Sequence, residues 1–196
     1  MVNANAVPCA QASARLTIDD QRGLLRLARE AVAAAVCNAP APAPAVEGRL
    51  AEPGAAFVTL KRGGELRGCI GCIEARPGSL AATVVRMATA AAREDPRFPP
   101  VRLCELEPLT LEISLLGPLV EIGHLDDIVV GRDGLVVEHQ GRRGLLLPQV
   151  ATEWGWDRDA FVAQTCRKAG LPADAWKAGA RLWRFEAFVF SEETIS

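Results

Sequence analysis

The stretch "GELRGCIGC", Gly64–Cys72, holds the residue types from which a reactive thiol is built. Cys69 follows Arg67 by two residues, and in an extended chain residues two apart point the same way at a separation of about 6.6–6.8 Å. A guanidinium at that distance stabilises a thiolate, and Gly68 and Gly71 let a ligand or a second backbone come close. Farther on, "EDPRFPP" sets Asp95 and Arg97 on a stiff, proline-bounded segment that can offer a carboxylate and a guanidinium to a polar ligand. The enzyme reading therefore takes Cys69 as candidate catalytic residue and Arg67, Gly68, Gly71, Asp95 and Arg97 as ligand or partner-binding residues.

The same residues also fit plain packing, and the spacing alone favours that reading. Free cysteine behaves as a small buried hydrophobe, Arg67 can pair with a carboxylate such as Glu65 or Asp95, and the glycines can admit a helix against a sheet. A nucleophilic cysteine needs a base, and the two histidines, His124 and His139, lie in the turn-rich second half. Cys69 and Cys72 are three apart, so an extended strand sends them to opposite faces about 10 Å apart, too far for a disulfide. A redox CxxC belongs at a helix N-terminus, and no helix can begin here before about Gly78. A zinc site wants four soft ligands, but Cys104, Cys166 and the histidines are scattered, so no metal is expected.

The positioning elements are legible in the periodicity. Thr17 and Asp20 form a capping box ahead of "IDDQRGLLRLAREAVAAAV", where Leu25, Ala28, Val32 and Val36 recur at helical spacing. Alternating prolines 40, 42 and 44 make an extended connector. "AAFVTLKRGGELRGCIGCI" reads as two strands joined at Gly63-Gly64. That turn pairs Arg62 with Glu65, Leu60 with Arg67 and Val58 with Cys69, opposes Thr59 to Gly68 and Phe57 to Ile70, and puts Arg67 and Cys69 on one face.

A second helix starts at Ser79 with Leu80, Val84, Met87, Ala88 and Ala91 on one stripe, and stops at Asp95-Pro96. "LTLEISLLGPLVEI" reads as two short strands broken at Gly117-Pro118. "DIVVGRDGLVVEHQGRRGLLLPQV" reads as a meander turning at Asp133-Gly134 and Gln140-Gly141. "RDAFVAQTCRKAG" is a short helix and "ARLWRFEAFVF" a final strand, with Trp154 and Trp156 expected as core anchors. Helices and strands mix without βα alternation, so the expected class is α+β with antiparallel sheets.

Composition excludes several functions. A chain of 196 residues with 49% hydrophobic and 23% charged side chains forms a globular domain, and a net charge of -2 leaves no footprint for nucleic acid or an anionic membrane. No run approaches a membrane span, the N-terminus is not a secretory leader, and six irregularly spaced cysteines are expected to stay reduced, which together point to the cytoplasm. No phosphate loop, dinucleotide fingerprint or metalloprotease helix is present, so no cofactor is indicated.

"FVTLKRGGELRGCIGC", "DPRFPPV", "GLLLPQVA" and "TCRKAGLP", in this order and spacing, resemble the signature blocks of the AMMECR family, called AmmeMemoRadiSam system protein A in prokaryotes. The resemblance runs from about the first helix to the final strand. It implies a larger and a smaller lobe with Leu66–Gly71 as hallmark, and it brings no particular reaction with it. The prokaryotic name implies association with a Memo-like protein and a radical-SAM protein. Cys72 departs from the pattern, which more often has Thr there, so a CxxC chemistry would be peculiar to this chain. The expected organisation is a flexible tail over 1–14 and a single domain over 15–196, with the smaller lobe at 118–156. Two functions follow: a small-molecule or thiol-dependent enzyme, and a non-catalytic interaction module that uses the hairpin surface.

Overall fold

The computed structural model describes residues 16–44, 47–75 and 77–195. The tail expected over 1–14 lies outside them. The class is α+β, and the chain divides into two compact units: Gly117–Ala187, and the described residues before Gly117 together with those from Phe188 onward. The smaller lobe expected at 118–156 falls inside the first of these, which also takes in a further helix and most of the final strand.

In the larger unit, helix α1 (Ile18–Val36) opens as the capping box requires. Thr17 Oγ1 accepts the Asp20 N–H at 3.1 Å while the Asp20 carboxylate accepts the Thr17 N–H at 2.9 Å. Helix α2 (Leu80–Arg93) is capped by the Ser79 hydroxyl, which accepts the Ala82 N–H at 3.0 Å. Strands β1 (Ala55–Arg62), β2 (Glu65–Gly71) and β3 (Leu109–Leu116) lie antiparallel in the order β2-β1-β3, so β2 is an edge. Leu24, Ala28 and Val32 of α1 and Val84, Ala88 and Ala91 of α2 share one core with Val58, Leu60, Leu111 and Ile113 of the sheet. These spacings bury one helical stripe and alternate strand residues against each other.

The hairpin register departs from the expected one. Arg62 pairs with Glu65 and Lys61 with Leu66, but the register then shifts: Leu60 pairs with Gly68, Thr59 with Cys69, Val58 with Ile70 and Phe57 with Gly71. Arg67 is the extra residue of a β-bulge, opposite no residue of β1. The cause is visible at Gly68, where a Cβ would sit 2.4 Å from the Ala91 carbonyl oxygen of α2. The helix runs so close that the strand must present a glycine to it, and only the bulge turns Gly68 rather than Cys69 to that face. Cys69 consequently leaves the face of Val58 and Leu60 and stands beside Thr59.

The smaller unit contains β4 (Val120–Glu121), β5 (Asp133–His139), β6 (Arg142–Leu146), α3 (Pro148–Glu153), α4 (Arg158–Lys168) and the residues up to Ala187 of β7 (Arg181–Ser191). β5 pairs with β6 and β7, and β4 with β7, all antiparallel. Its core holds Leu135, Val137, Phe161, Val162, Cys166 and Leu182. The turn at Gln140-Gly141 is as expected, with φ of 51° and 77°. Asp133-Gly134 is strand rather than turn. Asp133 is fully buried, accepts the Val129 N–H at 2.8 Å and is bridged by Arg132, while the Phe185 ring fills the space a Cβ at Gly134 would need. Among the described residues no helix is long and apolar enough to cross a membrane.

Candidate functional site

Every residue of Leu66–Gly71 can be followed to a partner or to solvent. Gly68 lies under the α2 carbonyl, and Gly71 lies under the Phe57 ring, whose Cγ would be 2.2 Å from an added Cβ. Ile70 packs partly on the core. Arg67 is mostly buried and reaches Glu105, with Nε donating to Oε1 at 2.9 Å and Nη2 to Oε2 at 3.1 Å. The carboxylate partner expected for it, Glu65 or Asp95, is thus replaced by Glu105. Leu66 is exposed.

Glu105 sits on the short turn after Arg102 and is buried. It also accepts the Arg102 N–H at 2.9 Å and stands 3.6 Å from Arg62 Nη1. Arg67, then the Arg102 N–H, hold its carboxyl down to about 2 despite its burial. Sequence reasoning missed it. Its only trace in the sequence is the three-residue spacing from Arg102, which resembles a cap with no helix behind it.

The structure does bring Cys69, Asp95 and Arg97 together. Asp95 is buried and accepts the Cys69 N–H at 2.8 Å, the Arg97 N–H at 3.1 Å and both Arg97 Nε at 2.9 Å and Nη2 at 2.7 Å. Arg97 Nη2 in turn donates to the Cys69 carbonyl at 3.2 Å. The Arg97 guanidinium, ahead of the two N–H groups, holds the Asp95 carboxyl well below the usual carboxylate range. The N–H and C=O of Cys69 face away from β1, and the carboxylate and guanidinium occupy the positions of a neighbouring strand's acceptor and donor. The pair therefore closes the sheet edge at this point. The Phe98 ring lies under both guanidinium groups, 5.9 Å from Arg67 and 5.6 Å from Arg97.

The Cys69 thiol is partly buried beside Thr59, whose hydroxyl donates to it at 3.2 Å. Burial pushes its pKa up, and the Thr59 hydroxyl and Arg97 charge offset only part of that. The expected role of Arg67 as thiolate partner is corrected by its commitment to Glu105. Cys69 and Cys72 are both unpaired, Cys72 being buried. His124 and His139 belong to the smaller unit. Among the described residues no group of three or more His, Cys, Asp or Glu is placed to hold a metal ion. The expectation that Trp154 and Trp156 anchor the core holds in part for Trp156, which packs against the smaller unit's core. Trp154 is 70% exposed and stacks on Trp156 at 6.0 Å.

Comparison with known proteins accords with this architecture. A protein of Thermococcus gammatolerans is 46% identical over 192 residues, covering 90% of this chain and 93% of its own length. One from Methanothermobacter thermautotrophicus is 48% identical over 145 residues, covering 70% and 74%. The crystal structure of the uncharacterized protein PH0010 from Pyrococcus horikoshii superposes with a TM-score of 0.82 at 40% identity, over 88% of this chain and 91% of that one. The AMMECR1 family model matches residues 25–190. The chain belongs to the AMMECR1 family.

Proposed function

We propose that the chain is a non-catalytic protein-interaction module whose docking surface is the outer side of the β1–β2 hairpin and the segment after α2. The observation that carries this reading is the asymmetry within Leu66–Gly71: five residues are turned to internal partners and Leu66 is left 43% exposed. Leu103, next to Arg102 and two residues from Glu105, is 67% exposed, so each partner of the Arg67–Glu105 ion pair has a large exposed apolar residue close to it in sequence. Around them four guanidinium groups, Arg62, Arg67, Arg97 and Arg102, stand with three carboxylates, Glu65, Asp95 and Glu105, which leaves an excess of one positive charge. A partner with an apolar anchor inside an acidic border complements this surface.

The partners proposed are the Memo-like and radical-SAM proteins, and the place is the cytoplasm, in keeping with described cysteines that are all unpaired. Against the enzyme reading stand a thiol whose pKa is raised and an arginine spent on Glu105 rather than on it. The test is a binding titration with the purified Memo-like and radical-SAM proteins of the same cell. Leu103→Asp and Leu66→Asp are expected to weaken complex formation at least about 10-fold, as for central anchor residues, while Cys69→Ala leaves it unchanged. Full binding by both Asp variants would overturn the proposal.

A further inference from the structure

A groove of about 510 Å³ lies in the larger unit, at the end of β2 and along α2. Its walls are the end of β2 (Ile70, Gly71) with Cys72 after it, the α2 stripe from Ala82 to Ala90 with Glu94 just past the helix, and Pro42 and Pro44 of the connector. The lining is mostly apolar, through Ile70, Val85, Met87 and Ala90. The volume is that of a small-molecule or short-peptide site.

The backbone beside this groove is an open strand edge. Partners in an antiparallel pair alternate between hydrogen-bonded and non-hydrogen-bonded positions. The Cys69 N–H goes to Asp95 and not to β1, while the Cys72 N–H donates to the Ala56 carbonyl at 3.0 Å. Gly71, between them and opposite Phe57, is therefore a non-hydrogen-bonded position whose N–H and C=O point outward, and neither has a partner among the described residues. Asp95 and Arg97 plug the edge at Cys69; two residues on, no described residue pairs with it, and there it lines the groove.

Charge marks the two ends. Arg86 and Glu94 line the groove eight residues apart on and just past α2, about 12 Å along the helix axis. Both are exposed, and neither is in an ion pair with another side chain among the described residues; Arg86 contacts only the Thr83 hydroxyl, at 3.4 Å. Twelve ångströms is the length of about three or four extended residues.

From this combination we infer that the groove binds a short apolar peptide with free ends, as an added strand on the Gly71 edge. Its carboxylate meets Arg86, its ammonium meets Glu94, and its side chains lie on Ile70, Val85 and Ala90. Strand addition supplies the main-chain hydrogen bonds and the groove the selection for apolar residues. The inference is independent of the interaction surface proposed above, and either can fail alone.

The probe is the tripeptide Val-Ala-Val with free ends, titrated into ¹⁵N-labelled full-length protein. Saturable shifts are expected at the amides of Gly71, Cys72 and Ala90. Arg86→Ala in the protein, or amidation of the peptide's carboxylate, should weaken binding about three- to ten-fold, and acetylation of its amino group should act similarly through Glu94. Arg26→Ala, an exposed change on α1, should leave the affinity alone. Methylating the peptide's central nitrogen should also weaken binding, because it removes the N–H that pairs with the Gly71 edge; unchanged affinity would overturn the strand addition. No shift at Gly71 with millimolar peptide, or capped peptides that bind as tightly as the free one, would overturn the inference.

Discussion

Asp95 grips Cys69 by its backbone and not by its thiol: the carboxylate accepts the Cys69 N–H at 2.8 Å, and Arg97, tied to that carboxylate, donates to the Cys69 carbonyl at 3.2 Å. Two residues that resembled a ligand clamp in the sequence close the edge of a sheet. Asp95→Ala leaves the Cys69 N–H without its acceptor and the half-exposed Arg97 without its carboxylate, and is expected to lower stability by about 2 kcal/mol. Thermal or denaturant unfolding measures it. A loss below about 1 kcal/mol would show that the clamp contributes little.

The thiol itself should be slow. Burial raises its pKa, so iodoacetamide is expected to label Cys69 more slowly than the exposed Cys37 and Cys104, with Arg67→Ala changing the rate little. Cys37 lies past the end of α1 and is exposed, so it serves as a fast reference. Site-resolved mass spectrometry after timed alkylation decides the matter. Labelling of Cys69 as fast as Cys104 would revive the enzyme reading.

The bulge makes its own prediction. Gly68→Ala places a methyl 2.4 Å from a helix carbonyl, which cannot swing away as a side chain would, so a loss of about 3 kcal/mol or failure to fold is expected. Gly63→Ala, in open space but at a φ of 59°, should cost only about 1–2 kcal/mol. Unfolding midpoints of the two variants side by side separate crowding from backbone strain.

Acid stability should depend on Glu105. Its folded pKa, held to about 2, lies below its usual value of 4.5, so its contribution is fully present above about pH 5 and drains away as pH falls toward 2. That contribution is on the order of 3 kcal/mol for a shift of this size at a buried site. Glu105→Gln should therefore flatten the stability profile between about pH 5 and pH 2. Chemical denaturation across that range measures the slope, and an unchanged slope would mean the ion pair is not coupled to folding.

How much of this was legible depends on the range of the forces involved. Thr17 and Asp20 announced α1, Ser79 announced α2, and Gly63-Gly64 announced the hairpin, because caps and turns are settled by residues three or four apart. Strand and helix faces followed from the spacing of Val58, Leu60, Val84 and Ala88, which need only bury one side. These fixed the α+β class from the chain alone.

Tertiary structure alone decided what the site residues do. The hairpin register turned on the Ala91 carbonyl, 23 residues from Gly68, whose approach forces a bulge that no local rule in "GELRGC" contains. Arg67 found Glu105 rather than Glu65 because a buried guanidinium takes the carboxylate that packing delivers, and 38 residues separate them. In the sequence Cys69 is a candidate nucleophile with packing as the favoured alternative; in the fold it is a clamped edge residue. The reason is physical: a thiol's reactivity is set by its burial and by the charges around it, which the sequence does not contain until the chain has folded.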